Sequence, residues 1–220
     1  MKYKSRIAIN LTFAIAMAWV EAAVVIYLRT MVDRIDPYQT NPLPFYGNLG
    51  GIELIREAAT LIMLLCVGWL SGWNTRSRLS FAAIAFGVWD IFYYIFLRLM
   101  GPWPSSLLDW DILFLIPLPW WGPVLAPVLI ALLLVIGGLM IVTLEERGTP
   151  QLLKGRSILI ASGGVLLAMY VFMEDALMAF PGGIEAIQSV LPLLFNWPLF
   201  TLALVLMAIP GIEIASSLSD

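Results

Sequence analysis

The chain has 220 residues, of which 61% are hydrophobic and only 12% are charged, and its formal net charge is −3. This composition excludes an ordinary water-soluble domain, and we expect no nucleic-acid partner. The sequence therefore predicts an all-α fold, a polytopic transmembrane helical bundle that forms a single integral membrane domain over residues 1–220 and is surrounded by lipid.

Six apolar stretches are long enough to span a membrane, which takes roughly 20 mainly apolar residues. In chain order the predicted helices cover about 7–28, 52–73, 79–100, 120–144, 157–177 and 190–210. Between the third and the fourth, four prolines bracket an apolar stretch that is too short to span. We expect this segment, about 104–117, to form a short interfacial or re-entrant helix.

Basic residues in short loops favour the cytoplasmic side of a membrane. With six spans, eight basic residues fall on the side of the termini: Lys2, Lys4, Arg6, Arg76, Arg78, Arg147, Lys154 and Arg156. The sequence thus predicts a multi-pass protein of the inner (plasma) membrane with both termini in the cytoplasm. Eleven of the fifteen acidic residues then fall in the opposite, outer half.

Five outer acids on or at the edges of predicted helices are candidate site residues, because a charge there is costly and is expected to face the protein interior with a partner. They are Glu21, Glu53, Glu57, Asp90 and Glu174. We interpret them as ion or proton ligands of an outer-leaflet cavity, with Arg56 and Arg98 as charge partners. The alternative interpretation is that they form ion pairs that fix helix register and have no further role.

The first and third predicted helices place a carboxyl group at a similar depth. Glu21 lies eight residues before Arg29, and Asp90 lies eight residues before Arg98. Because both helices run outward, each carboxyl group should sit roughly 12 Å below its arginine. The two acids are therefore expected to face each other, unless Asp90 pairs with a tyrosine such as Tyr27 on a neighbouring helix.

The second helix and the proline-bracketed segment contribute the remaining outer acids of interest. Glu53, Arg56 and Glu57 are spaced by three and four residues, which puts them on one helix face. Asp109 and Asp111 would lie on different faces of a short helix, so at most one of them is expected to reach the cavity.

The residue types present restrict the chemistry of such a site. The chain has no histidine, which excludes His-ligated haem and the usual zinc sites. Its three lysines, Lys2, Lys4 and Lys154, lie at cytoplasmic ends, which excludes a retinal Schiff base. There is no G-x-G-x-x-G, P-loop or C-x-x-C motif. We therefore expect no cofactor, whereas carboxylate-rich sites bind protons or hard divalent cations.

Three functions are consistent with these observations. The favoured one is a small transport or ion- or proton-binding module. The second is a non-catalytic membrane subunit or assembly partner of a larger complex, which suits a short chain without a soluble domain. The third is a carboxylate- and metal-dependent intramembrane enzyme acting on a lipid-like substrate, ranked last because no D-D-x-x-D run occurs. The corresponding partners would be a small ion, a lipid-like ligand or another membrane protein.

Two glycine pairs in the fourth and fifth predicted helices, Gly137-Gly138 and Gly163-Gly164, predict surfaces on which helices approach closely. Many transporters consist of two inverted repeats. The acids of the first three helices have no matching set in the last three, so the sequence gives no support for such a repeat.

Three segments resemble parts of other membrane proteins. They read REAATL from Arg56, FGVWDIFYY from Phe86, and WDILFLIP from Trp110, which continues into PWWGPV from Pro119. These segments are similar to those of uncharacterised polytopic bacterial inner-membrane proteins, and the resemblance covers roughly the first four helices. It implies a multi-pass membrane fold and assigns no activity and no residue role.

Overall fold

The computed structural model describes residues 3–40, 49–148 and 154–217. Their helices are, in chain order, α1 Tyr3–Met31, α2 Leu49–Ser71, α3 Thr75–Met100, α4 Leu125–Glu146, α5 Gly155–Ala179, α6 Gly183–Gln188 and α7 Trp197–Ser217. Six helical regions of the described chain are long and apolar enough to cross a membrane, the fifth running from α5 through α6. The chain is a multi-pass helical membrane protein, which confirms the predicted fold class.

Helix α3 lies at the centre of the first half of the bundle and packs against α1, α2 and α4. Helix α1 has fully buried small residues at spacings of four: Ala14, Ala18 and Ala22. They let the backbones of α1 and α3 approach closely. Ala14 and Ala18 belong to the same apolar cluster as Phe81 and Ile84 of α3. The second half is an α5–α7 pair, which contacts the first half through α4 and the segment before it.

One glycine of each predicted pair makes a close helix contact. A Cβ atom on Gly138 would lie 2.7 Å from a side-chain atom of α3, and one on Gly164 would lie 2.7 Å from a backbone oxygen of α7. Gly137 and Gly163 face open space instead. The close-packing prediction therefore holds for Gly138 and Gly164, and the neighbouring glycines provide matched controls.

Replacing Gly164 with valine is expected to lower the free energy of unfolding by about 1–3 kcal/mol, because overpacking forces the α5 and α7 backbones apart. The control Gly163→Val adds the same side chain where nothing obstructs it, and should stay within about 0.5 kcal/mol of wild type. Unfolding of the detergent-solubilised protein, followed by circular dichroism, measures both. Equal losses in the two variants would contradict this packing.

Polar contacts tie the helices together at the end of the bundle where α1 begins and α7 ends. Asn74 and Ser77 form a capping box at the start of α3, with the Ser77 amide donating to Asn74 Oδ1 at 2.8 Å. Asn74 Nδ2 also donates to Glu145 Oε2 of α4 at 2.6 Å. Lys154 pairs with Glu213 of α7 at 2.6 Å. We call this the terminal end of the bundle.

The segment between α3 and α4 differs from the prediction. The expected helix over 104–117 is wrong: none of these residues is helical, and the segment includes a small antiparallel sheet of β1 Trp110–Ile112 and β2 Trp121–Pro123. The prolines of the segment supply no N–H and so cannot sustain helical hydrogen bonding. We call residues 110–123 the hairpin. Helix α4 accordingly begins at Leu125, after the second strand.

The last helix also lies further along the chain than the predicted 190–210. Residues 190–196 are not helical, and the carbonyl of Pro192 accepts a hydrogen bond from Tyr38 Oη at 2.7 Å. Helix α7 begins at Trp197, and Pro198 lies in its first turn, where a missing N–H costs little. It continues through Pro210 to Ser217, and Glu213 near its end pairs with Lys154.

Candidate functional site

A cavity of about 240 Å³ lies at the end of the bundle opposite the terminal end, enclosed by α1, α2, α3, the hairpin and parts of α4 and α5. Its charged lining residues are Glu21, Glu53, Glu57, Asp90, Arg29, Arg34 and Arg56. We call it the acidic cavity. It brings together four of the five acids singled out in the sequence, while their role as ion or proton ligands stays a prediction.

Arg56 joins two of these acids. Its guanidinium forms an ion pair with Glu21 of α1, and its Nε donates to Glu53 Oε1 at 2.9 Å. Thr60 Oγ1 adds a hydrogen bond to Glu21 Oε2 at 3.0 Å. Glu21 is 5% exposed, so these bonds replace the water that its carboxylate loses on burial. This cluster links α1 to α2, which fits the register-fixing interpretation for Glu21 and Glu53.

Glu57 anchors the hairpin to α2. Its Oε1 and Oε2 atoms accept the backbone N–H of Leu115 at 3.2 and 3.0 Å. Leu115 lies between the two strands of the hairpin. Glu57 is 7% exposed. The Leu115 N–H that its two oxygens share connects α2 to the hairpin.

Asp111, which the sequence predicts on a short interfacial helix, lies instead in strand β1 and is buried. It is 1% exposed and receives hydrogen bonds from Arg29 Nη2 at 2.6 Å, from Tyr94 Oη at 3.2 Å and from the Ile112 amide at 2.8 Å. Burial raises the pKa of Asp111, and the Arg29 guanidinium acts in the opposite direction. The hairpin is thereby fixed to α1 and α3. Asp109 instead accepts the Ser105 amide in a local turn at 2.7 Å.

Two predicted site residues lie outside the acidic cavity. Arg98 is exposed and donates to the Pro102 carbonyl at 3.0 Å. It lies eight residues after Asp90, which turns its side chain by about 80° around the axis of α3 relative to Asp90. Arg29, Arg34 and Arg56 supply the guanidinium groups that line the cavity. Glu174 lies on α5 near Tyr170 and Asn196, with oxygen–oxygen and nitrogen–oxygen distances of 3.5 and 3.4 Å.

Asp90 differs from the other acids of the cavity. It is 7% exposed, and its Oδ2 atom is buried without a hydrogen-bond partner. Within residues 3–40, 49–148 and 154–217 it forms no ion pair, and Tyr27, a predicted partner, is 67% exposed on α1. A buried carboxylate without a partner is strongly disfavoured. Asp90 is therefore the acid of the cavity whose charge no described residue balances directly.

The acidic cavity as a whole also has more carboxyl groups than guanidinium groups. Four carboxyl groups line the cavity and a fifth, Asp111, pairs with the lining residue Arg29; against three guanidinium groups, this leaves two carboxyl groups in excess. The Arg34 guanidinium donates to the backbone oxygens of Pro37 and Gln39, at 2.9 and 3.1 Å from Nη2. Among the described residues, no group of three or more acidic or cysteine side chains is placed to hold a metal ion.

No family model, curated protein or solved structure matches this chain. The acidic cavity is therefore the feature from which a function is inferred. Asp90 is its most informative residue, because its neighbours Glu21, Glu53 and Glu57 are engaged by Arg56 or by the hairpin backbone.

Proposed function

We propose that this protein is a small membrane module that binds a cation or a proton at Asp90 in the acidic cavity and carries it across the membrane. The observation that supports this is the buried Asp90 carboxyl, whose Oδ2 atom has no partner in the described chain. Ionisable residues inside membrane helices are costly and commonly mark ion or proton pathways. A purely structural acid would be expected to have a partner, as Glu21 and Asp111 do.

The side of the membrane from which an ion would enter the acidic cavity is inferred from the basic residues of the short loops. The basic residues favour a cytoplasmic location for the terminal end, in the inner membrane of the cell. We propose that the acidic cavity consequently opens toward the outer side and that the ion reaches Asp90 from there. The hairpin, held by Glu57 and Asp111, forms part of the cavity wall on this side.

Transport by the purified protein in liposomes tests this function. We expect wild type to carry protons or a monovalent cation, measured with a pH-sensitive dye or radioactive tracer, and Asp90→Asn to slow this flux by about tenfold or more, equivalent to about 1.4 kcal/mol in the activation free energy of transport. The control Glu185→Gln removes an exposed carboxyl of α6 and should leave the flux unchanged. Flux that is the same in Asp90→Asn as in wild type would remove the proposal.

A further inference from the structure

We infer that the ligand of the acidic cavity is a small organic ammonium ion, held by Asp90 and the aromatic walls. This inference rests on the proposed function, because it specifies the cation that Asp90 would bind. It distinguishes a substituted ammonium group from a proton, an alkali metal ion and a divalent metal ion, all of which a carboxyl group could accept.

Aromatic rings flank Asp90 on its own helix. Phe86, Trp89 and Tyr93 line the cavity at spacings of three and four residues, so they share a face of α3. Their ring centroids are 5.5 Å apart for Phe86 and Trp89 and 5.9 Å apart for Trp89 and Tyr93. Asp90, which follows Trp89 in the chain, thus lines the same cavity as these three rings.

A second aromatic row lines the cavity from the hairpin and α5. Trp120 stacks on Phe172 with 6.0 Å between ring centroids and contacts Phe114 edge-on at 5.5 Å. Aromatic faces attract substituted ammonium groups through the ring quadrupole, and cages of such rings are a recurring means of recognising them. Two aromatic rows with one unpartnered carboxyl group match the chemistry of an organic cation.

The other carboxyl groups are poorly placed to bind a metal ion with Asp90. Glu21 and Glu53 are engaged by Arg56, and both oxygens of Glu57 face the Leu115 amide. A calcium ion takes six to eight oxygen ligands, and magnesium demands near-octahedral oxygen coordination. A single carboxyl group among aromatic rings does not supply such a set.

The size of the cavity fits a small organic ligand. Its volume of about 240 Å³ lies just below the range of roughly 300–1,000 Å³ that is typical of sites for drug-sized molecules. An ammonium ion with methyl or other short apolar substituents would occupy this space and place its apolar groups against the rings. A bare alkali metal ion would leave most of the cavity to water in contact with aromatic surface, which is unfavourable.

Calorimetric titration of the full chain in detergent with tetramethylammonium chloride tests this inference, with sodium chloride at equal ionic strength as the comparison. We expect wild type to bind tetramethylammonium at least about tenfold more tightly than sodium, and Asp90→Asn to weaken binding by about tenfold or more. Trp89→Leu should weaken it by about 2- to 30-fold, the range of a cation–π contact. The control Trp19→Leu alters a half-exposed ring of α1 that does not line the cavity, and should change nothing.

The outcomes separate the two proposals. The organic-cation inference is overturned if wild type binds sodium as tightly as tetramethylammonium, or if tetramethylammonium binding survives Asp90→Asn. If proton or sodium flux still depends on Asp90 in that case, the proposed function stands without an organic ligand. If neither flux nor binding depends on Asp90, both fail. The wild-type comparison of the two salts decides the ligand class even if a variant does not fold.

Discussion

Replacing Arg56 with glutamine is expected to lower the free energy of unfolding by about 3–5 kcal/mol, the usual cost of removing one partner of a buried ion pair. Arg56 binds both Glu21 and Glu53, so the change leaves two carboxyl groups without their counter-ion. The link between α1 and α2 at the acidic cavity would be weakened at the same time. Denaturant unfolding in detergent micelles, monitored by circular dichroism, gives the value.

Two further variants test the cause of that loss. Arg98→Gln removes the same charge from an exposed position on α3 and should change stability by no more than about 0.5 kcal/mol. Adding Glu21→Gln to Arg56→Gln should restore part of the stability, because the two residues are directly coupled. An additive double variant would show that the pair does not hold these helices together.

Replacing Asp111 with alanine is expected to cost about 3–5 kcal/mol and to loosen the hairpin. The change removes the acceptor of Arg29 and Tyr94, and leaves the Arg29 guanidinium over the ring of Trp103 without its carboxylate. Hydrogen exchange at the Ile112 amide, which donates to Asp111, should accelerate along with the global loss of stability.

The double variant Arg29→Met with Asp111→Leu provides the contrast. Replacing a buried ion pair by apolar side chains of similar size is often neutral or stabilising. We therefore expect this variant to recover most of the stability lost in Asp111→Ala. If it is less stable than the single variant, the pair has a role beyond balancing charge in the hairpin. Asp109→Asn, which changes only a local turn, serves as the control for general disturbance of the segment.

The six spans could be predicted because length and apolar composition alone define them, whereas helix ends depend on contacts between distant residues. Helix α4 begins at Leu125 because the preceding residues pair with β1. Helix α7 begins only at Trp197, after a non-helical stretch whose Pro192 carbonyl accepts a hydrogen bond from Tyr38. The hairpin could not be predicted from local pattern. Its prolines indicate only that a long helix is excluded, and strand pairing depends on partners about ten residues apart.

The candidate site could be predicted in part. Helical spacing places Glu53, Arg56 and Glu57 on one face of α2, and the structure brings them to the cavity. The sequence predicts that at most one of Asp109 and Asp111 reaches the cavity, and it cannot show which one, because the burial of Asp111 depends on the hairpin. Spacing also could not show which partner each acid meets, because that depends on the rotation of neighbouring helices.

The anchors of the hairpin have a consequence for the order of assembly during synthesis. Arg29, Glu57 and Tyr94, which hold it through side-chain hydrogen bonds, all precede it in the chain. N-terminal parts of a chain generally fold first during synthesis. The anchoring groups are therefore already synthesised when the hairpin emerges, and it can dock on them once it has crossed to its side of the membrane. Helix α5 is synthesised later and packs on the hairpin, where Phe172 lies within 2.9 Å of the position that a Cβ of Gly122 would occupy. The first three helices thus carry the side chains that hold the hairpin on which α5 packs.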